Sequence, residues 1–169
     1  LALVRRAARA LGVSYVDAEA SGLRIAGGQV IGVMLASGDE LPCDWCVNAA
    51  GPASAKLVKA IGIDLPVTPR KRTVFVIDAP NARHPDAPLL VDSGFYLRPE
   101  HGGQWITATV PDEDGPCAAD DFEPDLHLFE DVIWEQIYNR IPGFDAAKVL
   151  RHWVGHYAYN TLDQNAILG

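Results

Sequence analysis

Apolar residues recur with two different periods along this chain, and the switches between them mark out its elements. Leu1, Val4, Ala8 and Leu11 fall at helical spacing, with Arg5, Arg6 and Arg9 mostly off that face. The pattern predicts a short surface helix stopped by Gly12. Val13 to Ala18 predicts a short strand. Leu23-Arg24-Ile25 and Gln29 to Leu35 then flank Gly27-Gly28, a two-residue hairpin signal. Ser37-Gly38-Asp39 predicts a second turn, and Glu40 to Val47 a third strand. Such a β-meander buries one face and needs a second layer against it. Asn48-Ala49-Ala50-Gly51-Pro52 leads into a helical pattern through Ile61; Pro52 suits its first position and Gly62 its end.

The character changes at Leu65-Pro66-Val67-Thr68-Pro69, an expected domain crossing. Thr73 to Ile77 is β-branched and aromatic, as strands are. A Pro-rich, charged loop from Asp78 to Pro88 follows. Phe95 to Leu97 and Trp105 to Val110 predict a hairpin around His101-Gly102-Gly103. Pro111 to Pro124 is acidic and irregular. Phe129, Val132, Ile133, Ile137 and Ile141 line one face of a helix ended by Pro142-Gly143. Val149 to Tyr159 predicts a last strand rich in aromatic residues.

Composition narrows the classes. The 169 residues suffice for one ordinary domain or for parts of two. With 49% apolar and 21% charged residues the chain is expected to fold rather than stay disordered. No apolar run approaches the roughly 20 residues of a membrane-spanning helix. A net charge of −8 argues against nucleic acid as a partner. Three cysteines, an odd number, suit a reduced cytoplasmic compartment better than a disulfide framework, with membrane association of the intact protein left open. The chain starts without Met inside an amphipathic pattern and stops on apolar Ile167-Leu168-Gly169, so it is expected to be an internal piece of a longer protein. Its Arg-rich start superficially matches a transit peptide, but the apolar stripe favours an ordinary helix.

Three patterns invite chemistry. Cys43 and Cys46 have the spacing shared by redox and zinc pairs. On a strand, residues three apart point to opposite faces, and Cys117 supplies no adjacent ligand pair, so small apolar strand residues are the expected role. His152 and His156 are four apart, a metal spacing on a helix. On a strand that spacing separates them by roughly 13 Å, too far for one ion. The acids from Asp112 to Asp125 lack an ordered calcium-loop pattern, and neither a G-x-S-x-G elbow nor a P-loop occurs. The Asn48 to Pro52 crossing would let a ligand approach backbone closely; spacing alone leaves ligand contact and tight packing both open.

Taken in order, four segments resemble the D-amino-acid-oxidase-type family of FAD-dependent oxidoreductases, which includes glycine oxidase and the sarcosine and dimethylglycine dehydrogenases. They are LGVSYVDAEASGLRIAGGQVIGVMLASGDEL, LPCDWCVNAAGPASAKLVKAIGIDLPVTPRKRTVFV, GFYLRPEHGGQWITAT and IPGFDAAKVLRHWVGHYAYNTLDQNAILG. The run from Tyr159 to Asn165 is similar to the FAD-dependent oxidoreductase domain-containing subgroup. The resemblance implies an α+β or α/β fold: the β-meander and end of a glutathione-reductase-like FAD-binding domain, then a mixed-sheet substrate domain with a covering helix. It implies domain bounds of 1–65, 66–159 and a return segment 160–169. It places Ala49, Ala50 and Gly51 at the flavin and Ala20 near adenine, which leaves the cysteines incidental. The family's G-x-G-x-x-G turn for the FAD pyrophosphate is absent from this chain, as is its glycine-rich closing segment. FAD is therefore expected in the intact protein and hardly at all in this stretch alone.

The resemblance further implies oxidation of a C–N bond in an amino acid or N-methylated amine, with hydride transfer to flavin and hydrolysis of the resulting imine. The expected partners are a small amine or amino acid and an electron acceptor, either oxygen, a quinone or a protein. Tyr96, Arg98, His156 and Tyr157 are the substrate-side candidates. Amino-acid oxidases of the family usually carry an arginine where Gly155-His156-Tyr157-Ala158 places Tyr157. A phenol offers one hydrogen bond and no charge, so either Arg98 or a residue outside this stretch holds the acid, or the substrate is not a simple D-amino acid. Tyr96 and Tyr157 also suit plain aromatic packing, and Arg98 a surface ion pair. The alternative from another class is a flavoprotein-like module with altered catalysis and a binding or assembly role.

Overall fold

The computed structural model describes residues 1–92 and 94–168. These form two compact units: Leu1–Ala50 with Ser54–Leu65, and Gly51–Ala53 with the chain from Pro66 onward.

In the first unit α1 (Ala2–Ala10) precedes a three-stranded antiparallel sheet of β1 (Ala20–Ala26), β2 (Gln29–Leu35) and β3 (Glu40–Pro42), followed by α2 (Ser54–Lys59). Gly27 and Gly28 both take positive φ, 58° and 78°, which the tight β1–β2 hairpin requires. Two expectations are corrected here. Residues 13–19 form no strand; they cross as irregular backbone, with Tyr15 under the guanidinium groups of Arg5 and Arg9 at 4.7 and 5.1 Å. The third strand stops at Pro42 rather than Val47. Its partner sets this limit: Gly32 already faces Pro42, and β2 turns into the hairpin only three residues away. Cys43 and Cys46 thus lie beyond the strand as partly exposed free thiols.

The second unit is a five-stranded sheet in the order β5-β6-β7-β4-β8. Its strands are β4 (Val67–Asp78), β5 (Leu90–Asp92), β6 (Phe95–Glu100), β7 (Gln104–Thr109) and β8 (Lys148–Asn160). The expected α+β class is the one observed, although every described strand pair is antiparallel rather than mixed. A π-helical turn (Phe129–Ile133) runs into α3 (Trp134–Arg140) and covers one sheet face. Phe75, Ile77, Leu97 and Trp105 meet Phe129, Ile133, Ile137 and Phe144 there, all at most 7% exposed. Each such side chain stabilises the fold by about 1.5–3 kcal/mol. β4 is far longer than its β-branched centre, because β8 pairs with it from Val67 to Asp78.

The run after β8 closes on itself. Buried Asn160 donates to Asp163 at 2.7 Å and to the Asn165 carbonyl at 3.0 Å, and accepts from Leu162 N–H.

Candidate functional site

Side chains alternate along a strand, so the register assigns each residue of the five-stranded sheet to a face. Tyr96 stands opposite Ala108, Arg98 opposite Ile106, Ile106 opposite Val76, and Arg70 opposite Tyr157. These residues occupy the face that α3 does not cover. Tyr96, Arg98 and Tyr157 therefore share one face. Through β7 and β4, Tyr96 is level with Trp153, four residues along β8 from Tyr157, so the two tyrosines are offset by about 14 Å across the sheet and about 13 Å along it. They share a face without standing together at one small-ligand site.

His156 adjoins Tyr157 and so points to the other face, opposite Lys71. Its Nε2 lies 2.7 Å from the Asp121 carbonyl, and its ring stacks on Phe122 at 4.4 Å. Those contacts fasten the acidic 111–125 segment to the sheet. Lys71 reinforces them with ion pairs of 3.2 Å to both Asp121 and Asp125, whose charges outweigh burial and raise its pKa. A cavity of about 780 Å³ lies on this side, lined by Lys71, Asp125, His127, Asp131 and Val132 among others.

On the open face, burial pushes the half-exposed Tyr96 phenol up, partly offset by the Arg98 charge. Arg98 is exposed and lies 3.4 Å from Glu100, the surface ion pair its composition allows.

Tyr157 sits in a denser setting. Arg72 Nη1 and Nη2 donate to the two Asp114 oxygens at 2.7 and 2.9 Å, and Arg70 pairs with the same carboxylate at 3.1 Å. The Arg72 guanidinium lies 5.9 Å from the Tyr157 ring, and that of Arg70 lies 3.7 Å over Tyr159. Sequence reading passed over this cluster. Arg70 and Arg72 have strand spacing and were readable as neighbours on one face, but Asp114 lies more than 40 residues away.

The Arg72 hydrogen bonds hold the Asp114 carboxyl below its ordinary value of 3.8. A carboxyl whose folded pKa is depressed stabilises the fold above its unfolded pKa and loses that contribution as pH falls through the folded one. Acid unfolding below about pH 4 is thus expected to be less steep in Asp114→Asn than in the unaltered protein, as read by circular dichroism.

Ala49 and Ala50 are exposed, and Asn48 braces the crossing: its Oδ1 accepts from Ala50 N–H at 3.3 Å and its Nδ2 donates to Ser54 O at 3.1 Å. Gly51 has φ +55°, and a Cβ there would meet nothing within 4 Å. The turn Gly51–Ala53 runs beside β8 and β4 in the second unit. Ala20 opens β1, opposite Leu35. The small, open backbone at Gly51 fits the edge of a planar cofactor, which a side chain there would obstruct.

Among the described residues no helix is long and apolar enough to cross a membrane.

The architecture is shared with solved oxidase structures. Iminodiacetate oxidase from Chelativorans sp. BNC1 aligns over 92% of this chain and 41% of its own, with a TM-score of 0.76 and 18% identity. Glycine oxidase from Bacillus cereus ATCC 14579 aligns over 86% of this chain and 38% of its own, with a TM-score of 0.68 and 23% identity. The chain belongs to the DAO family of FAD dependent oxidoreductases, which matches residues 1–169. FAD-dependent oxidoreductase domain-containing protein 1 of Xenopus laevis is 38% identical over 140 residues, 75% of this chain. The aligned stretch is 28% of that relative's length.

Proposed function

We propose that the full-length protein carrying this chain is an FAD-dependent oxidoreductase that oxidises a C–N bond in an amino acid or N-methylated amine. The observation that carries this reading is the sheet face opposite α3. It carries Tyr157 on β8, which with β4 runs beside the Gly51 turn, and Tyr96 and Arg98 farther along the same face on β6. Similar proteins whose names state their substrates support it: a D-amino-acid oxidase of Bradyrhizobium diazoefficiens is 26% identical over 149 residues.

In this reading residues 1–65 contribute to an FAD-binding domain, 66–159 form the substrate domain, and 160–169 return toward the first. Ala20, Ala49, Ala50 and Gly51 border the cofactor, which when bound supplies the two-electron acceptor. The chain's own residues orient the substrate. Tyr157 offers its hydroxyl to a polar substrate atom, Tyr96 adds a half-exposed aromatic ring to the same face, and Arg98 supplies positive charge at its rim. His156 works from behind, holding the acidic segment against β8.

The assembly-module reading keeps one observation in its favour: a phenol, without charge, stands at Tyr157. The absorption spectrum of the intact protein separates the two. Bands near ~450 nm are expected, bleached anaerobically by glycine, sarcosine or a D-amino acid. Flavin that no amine or amino acid reduces would favour the assembly role. Absence of flavin would overturn both the cofactor and the enzyme reading.

A further inference from the structure

The acidic segment after β7 grips β4 from both faces. Arg70, Lys71 and Arg72 are consecutive on β4, so the pleat sends the two arginines to one face and the lysine to the other. Asp114 meets the arginines, while Asp121 and Asp125 meet the lysine. Three cations of one strand thus face three carboxylates of one segment.

Little else holds that segment down. None of residues 111–125 is buried, whereas Thr109 before it and Leu128 after it are 4% and 5% exposed. On the lysine face Phe122 stacks on His156 and Asp125 N–H donates to Thr73 Oγ1 at 2.9 Å, yet Phe122 stays exposed. The β4 edge beside the segment is left free by β7, which pairs with β4 only from Phe75 to Asp78. Among the described residues a single main-chain hydrogen bond joins segment and strand there, from Cys117 N–H to the Pro69 carbonyl at 3.0 Å. Pro111, Pro116 and Pro124 lack the N–H groups that a paired strand needs. Val110 to Gly115 and Cys117 wall the cavity of about 780 Å³, so this part spans a gap rather than packing flush. The segment carries seven carboxylates and no basic residue, so once lifted it repels itself and stays extended.

Each set of ion pairs keeps the segment close for the other, as two linked binding modules do. We propose that residues 111–125 form an ionic strap that couples the two faces of β4: it lifts as one unit, so releasing the Lys71 pairs on one face also frees Asp114 beside Tyr157 on the other. Arg72, bonded to Asp114 at 2.7 and 2.9 Å, lies 5.9 Å from the Tyr157 ring, so lifting the strap takes a negative charge from the surroundings of that ring. This consequence for the substrate face rests on the enzyme reading above; the coupling itself does not.

Hydrogen–deuterium exchange of the full-length protein, read by mass spectrometry of its peptides, tests the coupling. Asp121→Asn combined with Asp125→Asn removes the Lys71 pairs and touches neither arginine. Amides of 112–117 are expected to exchange about tenfold faster in that variant, together with those of 118–125. Asp114→Asn is expected to do the reverse, speeding 118–125 by a similar factor although its side chain makes no ion pair there. Salt of roughly 0.5 M should speed both stretches of the unaltered protein in step. Exchange over 95–109 should change in none of these. A rise confined to 118–125 in the double variant, or to 112–117 in Asp114→Asn, would overturn the proposal. An equal rise over 95–109 would also overturn it, because the whole unit would then be loosened. The readout needs neither flavin nor turnover, so its failure leaves the enzyme reading standing. Coupled exchange in a protein without flavin would leave the strap standing while that reading fails.

Discussion

Trp105→Ala is expected to remove about 3–5 kcal/mol of stability. The residue is 2% exposed, and its ring meets Phe144 edge-on with centroids 5.2 Å apart. Its indole N–H donates to the Ala82 carbonyl at 2.9 Å, which ties the 79–89 loop to the sheet. Truncation leaves a cavity under α3 and an unpaired buried carbonyl together. Trp105→Phe keeps most of the packing and is expected to lose only the hydrogen bond, about 1–2 kcal/mol. Urea unfolding followed by circular dichroism reads both. Equal losses in the two variants would mean that the indole N–H, rather than ring volume, dominates.

Gly143→Ala is expected to cost about 2–4 kcal/mol, from two sources that add. Gly143 has φ +94°, a conformation that L side chains resist. A Cβ there would also lie 2.4 Å from the Asn81 carbonyl oxygen, a backbone atom that no rotamer change can move aside. Gly102→Ala is the control. Its φ is +76° with nothing within 4 Å, so only the conformational cost of about 1–2 kcal/mol should appear. A Gly143→Ala midpoint equal to that of Gly102→Ala would show that the 81–82 backbone yields freely. Because a Cβ at position 143 would press on Asn81 while Trp105 holds Ala82, the Trp105→Ala and Gly143→Ala losses should fall short of additivity.

Much of the fold was legible because local chemistry decided it. The Gly27-Gly28 hairpin, the His101-Gly102-Gly103 turn and the apolar face of the Phe129–Ile141 helix all arose where expected, since turn conformation and burial period are written into neighbouring residues. The errors came where a partner strand sets the limit. Glu40 to Val47 has strand character throughout, yet β2 offers pairing only as far as its own hairpin. β5, three residues long, exists because Phe95–Leu97 has an open edge for Leu90–Asp92 to join.

The candidate site divides along the same line. The sequence resemblance marked the Ala49-Ala50-Gly51 crossing and grouped His156 with Tyr157 on the substrate side; the pleat of β8 instead sends these neighbours to opposite faces. Strand order and register decided the rest. They set Arg70 opposite Tyr157, put Tyr96 and Arg98 on the same open face, and carried the acidic segment back across β4 so that Asp114 meets two arginines. A strand's alternation is fixed by its own backbone pleat. The neighbours each side chain meets are fixed by which strands pair, and that choice belongs to the whole chain.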